Sequence, residues 1–193
     1  MSLIVAIKDN DKFYIGCDTR VSCGSYYVDS YHLNPKAYFV DAEKGLILGY
    51  SGLSVIGDYA ATILKSHNID KLDRNYIVER FWPEFYKRCY TLTGTDKSNF
   101  VDGELIIIMK DVGFHIDGSG SVMNILETCT VGSGCEVADG IMSALYDYKP
   151  LNPEAMIIAT IKHTASVISN ISSEVYIASS TSKKFIKSIL TIK

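Results

Sequence analysis

The sequence predicts an α+β fold in which antiparallel strands are covered by helices. Strand-like and helix-like segments arrive in blocks: strands, two helices, strands, two helices, strands. An antiparallel sheet with a helical layer on each face would bury both of its sides. Repeated βαβ units are not evident, which argues against a doubly wound parallel sheet. The chain has 193 residues, 47% of them hydrophobic. That is one domain's length, able to bury roughly two thirds of its unfolded surface without disulfides or metals.

Ser2–Ile7 and Lys12–Cys17 read as strands around the polar turn Asp9-Asn10-Asp11. Val28–Val40 is mixed and broken at Asn34-Pro35. Gly45–Tyr50 is a short apolar strand that ends in Ser51-Gly52-Leu53-Ser54, and a helix is expected over Val55–Ser66. A second helix runs from Asp73 to Tyr90, with Tyr76-Ile77-Val78, Phe81-Trp82 and Phe85-Tyr86 on one stripe. Pro83 is placed to kink or restart it. Thr91–Val101 is polar and reads as a loop. Glu104–Met109 and Val112–Ile116 form a hairpin about Lys110-Asp111, and Gly118–Ser121 leads to a strand at Val122–Thr128. Thr130–Gly134 reads as a glycine-rich turn before a helix at Glu136–Asp147. Asn152-Pro153-Glu154 starts a helix to Ser166: Asn caps, Pro suits the first turn, Glu faces the positive helix end. Glu174–Ala178 is a strand, and Lys183–Ile192 a terminal strand or short helix.

Nineteen Lys plus Arg stand against 22 Asp plus Glu, a net charge of -3. Nothing here supplies the positive field of a nucleic-acid binder. No apolar run approaches the ~20 residues of a membrane span, and MSLIVAIKDND lacks the basic region of a signal peptide. Five cysteines without a C-x-x-C point to a reduced, cytoplasmic setting. His32, His67, His115 and His163 lie too far apart in sequence for a zinc grammar, so no metal is expected. Gly118–Ser121 and Gly132-Ser133-Gly134 lack the lysine of a phosphate loop and the spacing of a dinucleotide loop, so no cofactor is expected either. Tyr26-Tyr27 and Tyr31 sit in a polar stretch, where a pocket or a subunit contact would use them.

The chemistry concentrates at the start of the chain. Removal of Met1, which a small second residue favours, would place a hydroxyl and a free α-amine on Ser2. Such an amine has a pKa near ~7.7–8.0 and is substantially neutral around neutral pH. It can take the hydroxyl proton directly or through one water. A neighbouring buried cation would depress the amine further. Lys36 is the candidate cation, and Asp18 its natural anion.

Ser2–Arg20, SLIVAIKDNDKFYIGCDTR, resembles the opening of proteasome β-type subunits and of the proteasome-like protease HslV. Asp18 and Arg20 fall where that family carries Asp and Arg. Val21-Ser22-Cys23-Gly24 resembles its A-T-x-G segment, and Lys36 comes two residues later than the family's lysine. Gly49-Tyr50-Ser51-Gly52 is similar to the turn that supplies an oxyanion N–H. Val131-Gly132-Ser133-Gly134 is similar to the G-S-G turn whose Ser contacts the amine, and Ser169-Asn170 to a Thr-Asn of HslV.

The resemblance implies a four-layer αββα sandwich of the N-terminal nucleophile hydrolase type, with two antiparallel sheets between helix layers. It implies peptidase or amidohydrolase activity with Ser2, Asp18, Lys36, Gly52, Ser133 and Ser169 as catalytic residues. Val21, Ser22, Gly24, Tyr50 and Ser54 would touch a peptide or amide substrate. It also implies a homo-oligomer and, through HslV, an ATP-dependent unfoldase partner; the aromatic helix at Tyr76–Tyr90 suits an oligomer interface. Two departures stand out: Ser replaces the usual Thr nucleophile, and Ser166 stands where proteasome subunits carry Asp. A transpeptidase sharing the acyl-enzyme, or an inactive homologue retaining the ion network, fits the same residues.

Overall fold

Leu3, Val5 and Ile7 point to one side of the first strand and Ile4 and Ala6 to the other, and all five are fully buried. A strand apolar on both faces needs cover on both. The structure is a computed structural model that describes residues 2–23, 26–29, 35–93, 101–148 and 152–188. In chain order the elements are β1 (Leu3–Asp9), β2 (Lys12–Asp18), β3 (Arg20–Cys23), β4 (Tyr26–Asp29), β5 (Ala37–Asp41) and β6 (Leu46–Gly52). Then come α1 (Ser54–His67), α2 (Arg74–Tyr76), a wide helical turn at Ile77–Phe81, and α3 (Trp82–Thr93). β7 (Gly103–Met109), β8 (Val112–Ile116), β9 (Val122–Asn124) and β10 (Thr128–Gly132) follow. α4 (Cys135–Tyr148), α5 (Pro153–Val167), β11 (Val175–Ser179) and β12 (Ile186–Lys187) close the chain.

Two five-stranded antiparallel sheets stack on each other, in the orders β10-β1-β2-β11-β12 and β5-β6-β7-β8-β9, and β3-β4 forms a separate ribbon. This is the four-layer arrangement, two antiparallel sheets between helix layers, that the resemblance implied; the order of strands and helices alone suggested a single sheet, and a second sheet covers its inner face. Ile4, Ala6, Phe13 and Ile15 meet Ile47, Ile106 and Ile108 between the sheets. Leu3, Val5 and Ile7 pack instead against Met142, Ile157 and Ile161 of α4 and α5. Leu46, Leu48, Leu105 and Ile107 pack against Ile56, Ile63, Phe81 and Phe85 of the other helix layer. Period-two alternation thus sorts each apolar run into two cores.

The hairpin turns are two residues long, with Asp9 paired to Lys12 and Met109 to Val112. Asn10 and Lys110 take positive φ, 52° and 56°, as tight hairpins demand. Asn152 caps α5 through Ala155 N–H at 2.8 Å, as its sequence signature implies.

Three local expectations change. The helix around Pro83 begins at Arg74 and reaches Thr93, and Trp82 N–H donates five residues back to the Ile77 carbonyl. Pro83 lacks an N–H, and its ring would crowd the carbonyl of Glu79; a wider turn just upstream relieves that conflict. The expected strand Val122–Thr128 is two strands in different sheets. Ile125 N–H donates to the Gly113 carbonyl (2.9 Å) while Lys8 N–H donates to the Glu127 carbonyl (2.7 Å), so the chain changes sheets between them. Thr130–Gly134 is strand as far as Gly132 because β10 pairs along β1, Leu3 opposite Gly132. Of the expected loop Thr91–Val101, residues 94–100 lie outside the described residues, as do residues 189–192 of the last expected element. No helix among the described residues is long and apolar enough to cross a membrane.

Candidate active site

β2 ends at Asp18, whose side chain is fully buried. Its carboxylate accepts four hydrogen bonds. Oδ1 takes Leu3 N–H at 2.8 Å and Lys36 Nζ at 2.6 Å. Oδ2 takes Arg20 N–H at 3.0 Å and Ser172 N–H at 3.1 Å. One side chain therefore ties together the start of β1, the end of β2, the residue before β5 and the segment before β11. Lys36 is 3% exposed. Two charges this deep persist because they neutralise each other and every remaining lone pair finds a donor.

Lys36 is held from the other side as well: its carbonyl accepts Tyr50 N–H at 2.9 Å, which docks it on β6. Ser172 Oγ accepts Glu174 N–H at 3.1 Å and Thr19 Oγ1–H at 3.2 Å. Arg20 Nη1 donates to the Ser169 carbonyl at 2.6 Å. Cys17, next to Asp18, is fully buried; burial first, and the Asp18 charge second, push its thiol up to about 12.

Ser2 is 5% exposed and lies where three strand ends converge. Gly132, at the end of β10, has φ +96°, and a Cβ there would stand 2.1 Å from the Ser2 carbonyl oxygen and 3.2 Å from Ser51 Cβ. Only glycine lets these backbones approach so closely. Gly52 ends β6 with φ +96°, and its Cβ would fall 2.2 Å from the Asp102 carbonyl. The peptide that turns from β6 into α1 is thus fixed in a conformation closed to other residues.

The structure brings Asp18 and Lys36 into direct contact and sets Ser2 one peptide from their shared oxygen. It sets Gly52 one residue from Ser51, which packs at Gly132 beside Ser2. Ser133 follows Gly132 in the turn into α4. Among the described residues no hydrogen bond joins Ser133 or Ser169 to Ser2, and the Ser169 side chain is exposed. Ser166 lies near the end of α5 and bonds the His163 carbonyl at 2.7 Å. Sequence reasoning missed Ser172 and the close approach of Gly132. Strand period was the available signal for Ser172: Val175 of β11 pairs with Asp18, so the segment just before β11 must pass the carboxylate.

Val21 is half-buried on β3. Ser22 pairs with Tyr27 in the β3-β4 ribbon, while Gly24 and Tyr31 lie outside the described residues. Tyr50 and Ser54 line a cavity of about 800 Å³ together with Pro35, Tyr38, Asp58, Ala61, Thr62 and Lys65. Tyr38 donates its hydroxyl to the Gly57 carbonyl at 3.1 Å; burial raises its phenol pKa, and the charges of Tyr50 and Asp58 raise it further.

A family model described as Proteasome subunit matches residues 2–178. No curated protein matches the chain. Thiobacillus denitrificans BPH is similar in structure over 92% of this chain and 96% of its own, with TM-score 0.73 and 16% identity. Its complex with epoxomicin gives TM-score 0.72 at 16% identity, over 92% and 97% of the two chains. HslV from Trypanosoma brucei gives 0.67 at 16% identity, over 92% and 98%. At such identity the likeness is one of fold: two stacked antiparallel sheets between helix layers.

Proposed function

From the premise that the chain belongs to the proteasome subunit family, we propose that it is a peptidase or amidohydrolase whose nucleophile is Ser2, exposed by removal of Met1. The observation that carries this reading is the Asp18 carboxylate: Lys36 Nζ and Leu3 N–H share one of its oxygens. The lysine cation is therefore held beside the peptide that follows Ser2. A cation so placed disfavours protonation of a Ser2 amine and leaves it neutral as a base.

In the proposed reaction Ser2 Oγ attacks the scissile carbonyl while the amine takes the hydroxyl proton. The carbonyl oxygen becomes an oxyanion facing Gly52 N–H, a contact worth ~3–4 kcal/mol in such sites. The amine returns its proton to the leaving amine, and an ester to Ser2 Oγ remains. Water then attacks the ester carbonyl while the same amine takes its proton; the C–Oγ bond breaks, the amine returns that proton to Ser2 Oγ, and the acid is released. Asp18 orients Lys36, and Ser133 is the hydroxyl nearest in sequence to the Gly132 contact and suited to hold the amine. Ser169 contributes its carbonyl to Arg20, and in this reading it shapes the segment that carries Ser172. Val21, Ser22 and Gly24 would offer backbone to an extended substrate, with Tyr50 and Ser54 beside its side chain. The family further suggests a cytoplasmic homo-oligomer and an ATP-dependent unfoldase partner.

Intact mass establishes whether Met1 is lost. A peptidyl epoxyketone, which needs both hydroxyl and amine, should then label Ser2 stoichiometrically. Ser2→Ala should abolish labelling and peptide turnover with the urea midpoint unchanged. Undiminished turnover in Ser2→Ala would end this assignment, and protein lacking Met1 but refusing the label would mark the ion network as purely structural.

A further inference from the structure

α5 lays one stripe of β-branched side chains inward: Ile157, Ile161, Thr164 and Ile168 follow one another at helical spacing. Ile157 and Ile161 sit over Gly16 of β2, where a Cβ would meet Ile157 Cγ2 at 2.5 Å and Ile161 Cδ1 at 3.6 Å. Thr164 and Ile168 sit over Gly134, where a Cβ would stand 3.0 Å from Thr164 Cγ2 and 3.5 Å from Ile168 Cγ1. The end of α5 is thus the floor beneath the Gly132-Ser133-Gly134 turn, and Gly132 lies against the Ser2 carbonyl. Two close contacts span the path from α5 to Ser2, and Ser133 stands between them.

Thr164 is the polar member of that stripe. It is fully buried, and among the described residues its hydroxyl has no hydrogen-bond partner. A buried hydroxyl left unpaired opposes folding. The methyl is the part with a contact: Cγ2 is the atom nearest to a Cβ placed at Gly134, outside that glycine's chain neighbours. Thr164 also reaches the far side of the site. Its carbonyl accepts Ile168 N–H at 2.8 Å. The chain that leaves there presents the Ser169 carbonyl to Arg20 and the Ser172 N–H to Asp18.

We propose that Thr164 is a positioning residue: its Cγ2 methyl, not its hydroxyl, fixes the Gly132-Ser133-Gly134 turn and with it the place of Ser133 beside a Ser2 amine. The second half rests on the reading of Ser2 as nucleophile, so the two halves are tested apart. The first test needs no chemistry at Ser2. Ala138 N–H donates to the Gly134 carbonyl at 2.9 Å, so its hydrogen exchange reports on the turn. Thr164→Ser keeps the hydroxyl and loses the methyl. Exchange in the peptic fragment that contains Ala138 should quicken roughly tenfold, the upper scale of one lost buried methyl. Thr164→Val keeps the methyl and loses the hydroxyl, and should stay within about twofold of the native protein. Thr160→Ser is the control. Thr160 is equally buried and its hydroxyl equally unpartnered, but it lies about 6 Å back along α5. Its loss of a methyl should leave the same fragment within about twofold. Quickening in Thr164→Val, none in Thr164→Ser, or an equal quickening in Thr160→Ser overturns the proposal whatever Ser2 does.

The second test follows epoxyketone labelling of Ser2 in protein lacking Met1. Thr164→Ser should lower the maximal labelling rate roughly fivefold while the half-saturating concentration stays within about twofold. Thr164→Val should label as the native protein does. A loss confined to half-saturation, or shared by both variants, refutes the link from Thr164 to the amine while leaving the Ser2 chemistry standing. Absence of any label together with the expected exchange pattern does the opposite: Thr164 still fixes the turn, and the nucleophile reading fails.

Discussion

Asp18→Asn removes one charge and almost no volume, so its cost reports the hydrogen-bond arithmetic of the site. The carboxylate offers acceptors to four donors, two on each oxygen. An amide offers only one oxygen. If that oxygen keeps Leu3 N–H and Lys36 Nζ, the NH2 confronts the N–H groups of Arg20 and Ser172. If it keeps those two, the NH2 confronts Leu3 N–H and a buried ammonium. Either way two buried donors lose their partner and Lys36 loses its counter-charge. Breaking a buried pair in this way costs about 3–5 kcal/mol. That is a large share of the ~5–15 kcal/mol that holds a domain, and about 10 °C or more in Tm for this length. Lys36→Met is the instructive partner. Asp18 then keeps three amide donors, and the Met stem fills the space of the lysine, so roughly 2 kcal/mol should be lost. Urea unfolding of both variants, followed by fluorescence and circular dichroism, gives the comparison. Equal losses, or a greater loss for Lys36→Met, would refute the claim that Asp18 acts as a four-way acceptor rather than as one half of an ion pair.

Further outcomes follow from other parts of the structure. Gly132→Ala should cost about 2 kcal/mol or more and impair any Ser2 chemistry, because its methyl would stand 2.1 Å from the Ser2 carbonyl. Gly140→Ala, in α4 with nothing within 4 Å of its Cβ, should instead stabilise by ~0.5–1 kcal/mol; paired urea melts read both. Native Cys17, its thiol pushed up to about 12, should react with iodoacetamide at pH ~8 on the order of a thousandfold more slowly than in denaturant. Burial alone would raise the Glu84 carboxyl, but hydrogen bonds from His67 and Arg88 outweigh it and hold the group below its ordinary 4.5. Its contribution is therefore complete above that value and lost as pH falls through the lowered one, so Glu84→Gln should flatten the acid limb of stability below 4.5; an unchanged limb would remove Glu84 from that role.

Which parts of the fold were legible in the sequence follows from the range of the forces involved. Hairpins and helix starts are local: Asn10-Asp11 and Asn152-Pro153 announce themselves through φ preference and capping within four residues. The partition into two sheets is not local. Val122–Thr128 reads as one strand because each half is strand, and only pairing with β8 on one side and β1 on the other divides it. The wide turn at Ile77–Phe81 was half visible, since Pro83 marked a conflict without stating whether the helix would break, kink or swell.

The site divides along the same line. Asp18 and Lys36 were legible through the resemblance of the opening segment and because a buried lysine needs an anion beside it; they meet at 2.6 Å. Ser169 was expected on similarity of a dipeptide, and its role in the structure is carried by the backbone: its carbonyl anchors Arg20. The group that meets Asp18 lies three residues on, in the Ser172 N–H. Backbone donors leave no mark on residue identity, so no reading of side-chain types could have selected Ser172. Register could have done so. Once β11 is paired to β2 with Val175 opposite Asp18, the chain entering β11 must cross the carboxylate, whichever residue occupies that point. A Ser172→Ala variant tests this division directly. It keeps the N–H to Asp18 and loses only the hydroxyl's bonds to Thr19 and Glu174. It should therefore cost about 1 kcal/mol and spare any Ser2 labelling, whereas a proline there, with no N–H to give, should disable both. Loss of labelling in Ser172→Ala would show that the hydroxyl, not the backbone, serves the site.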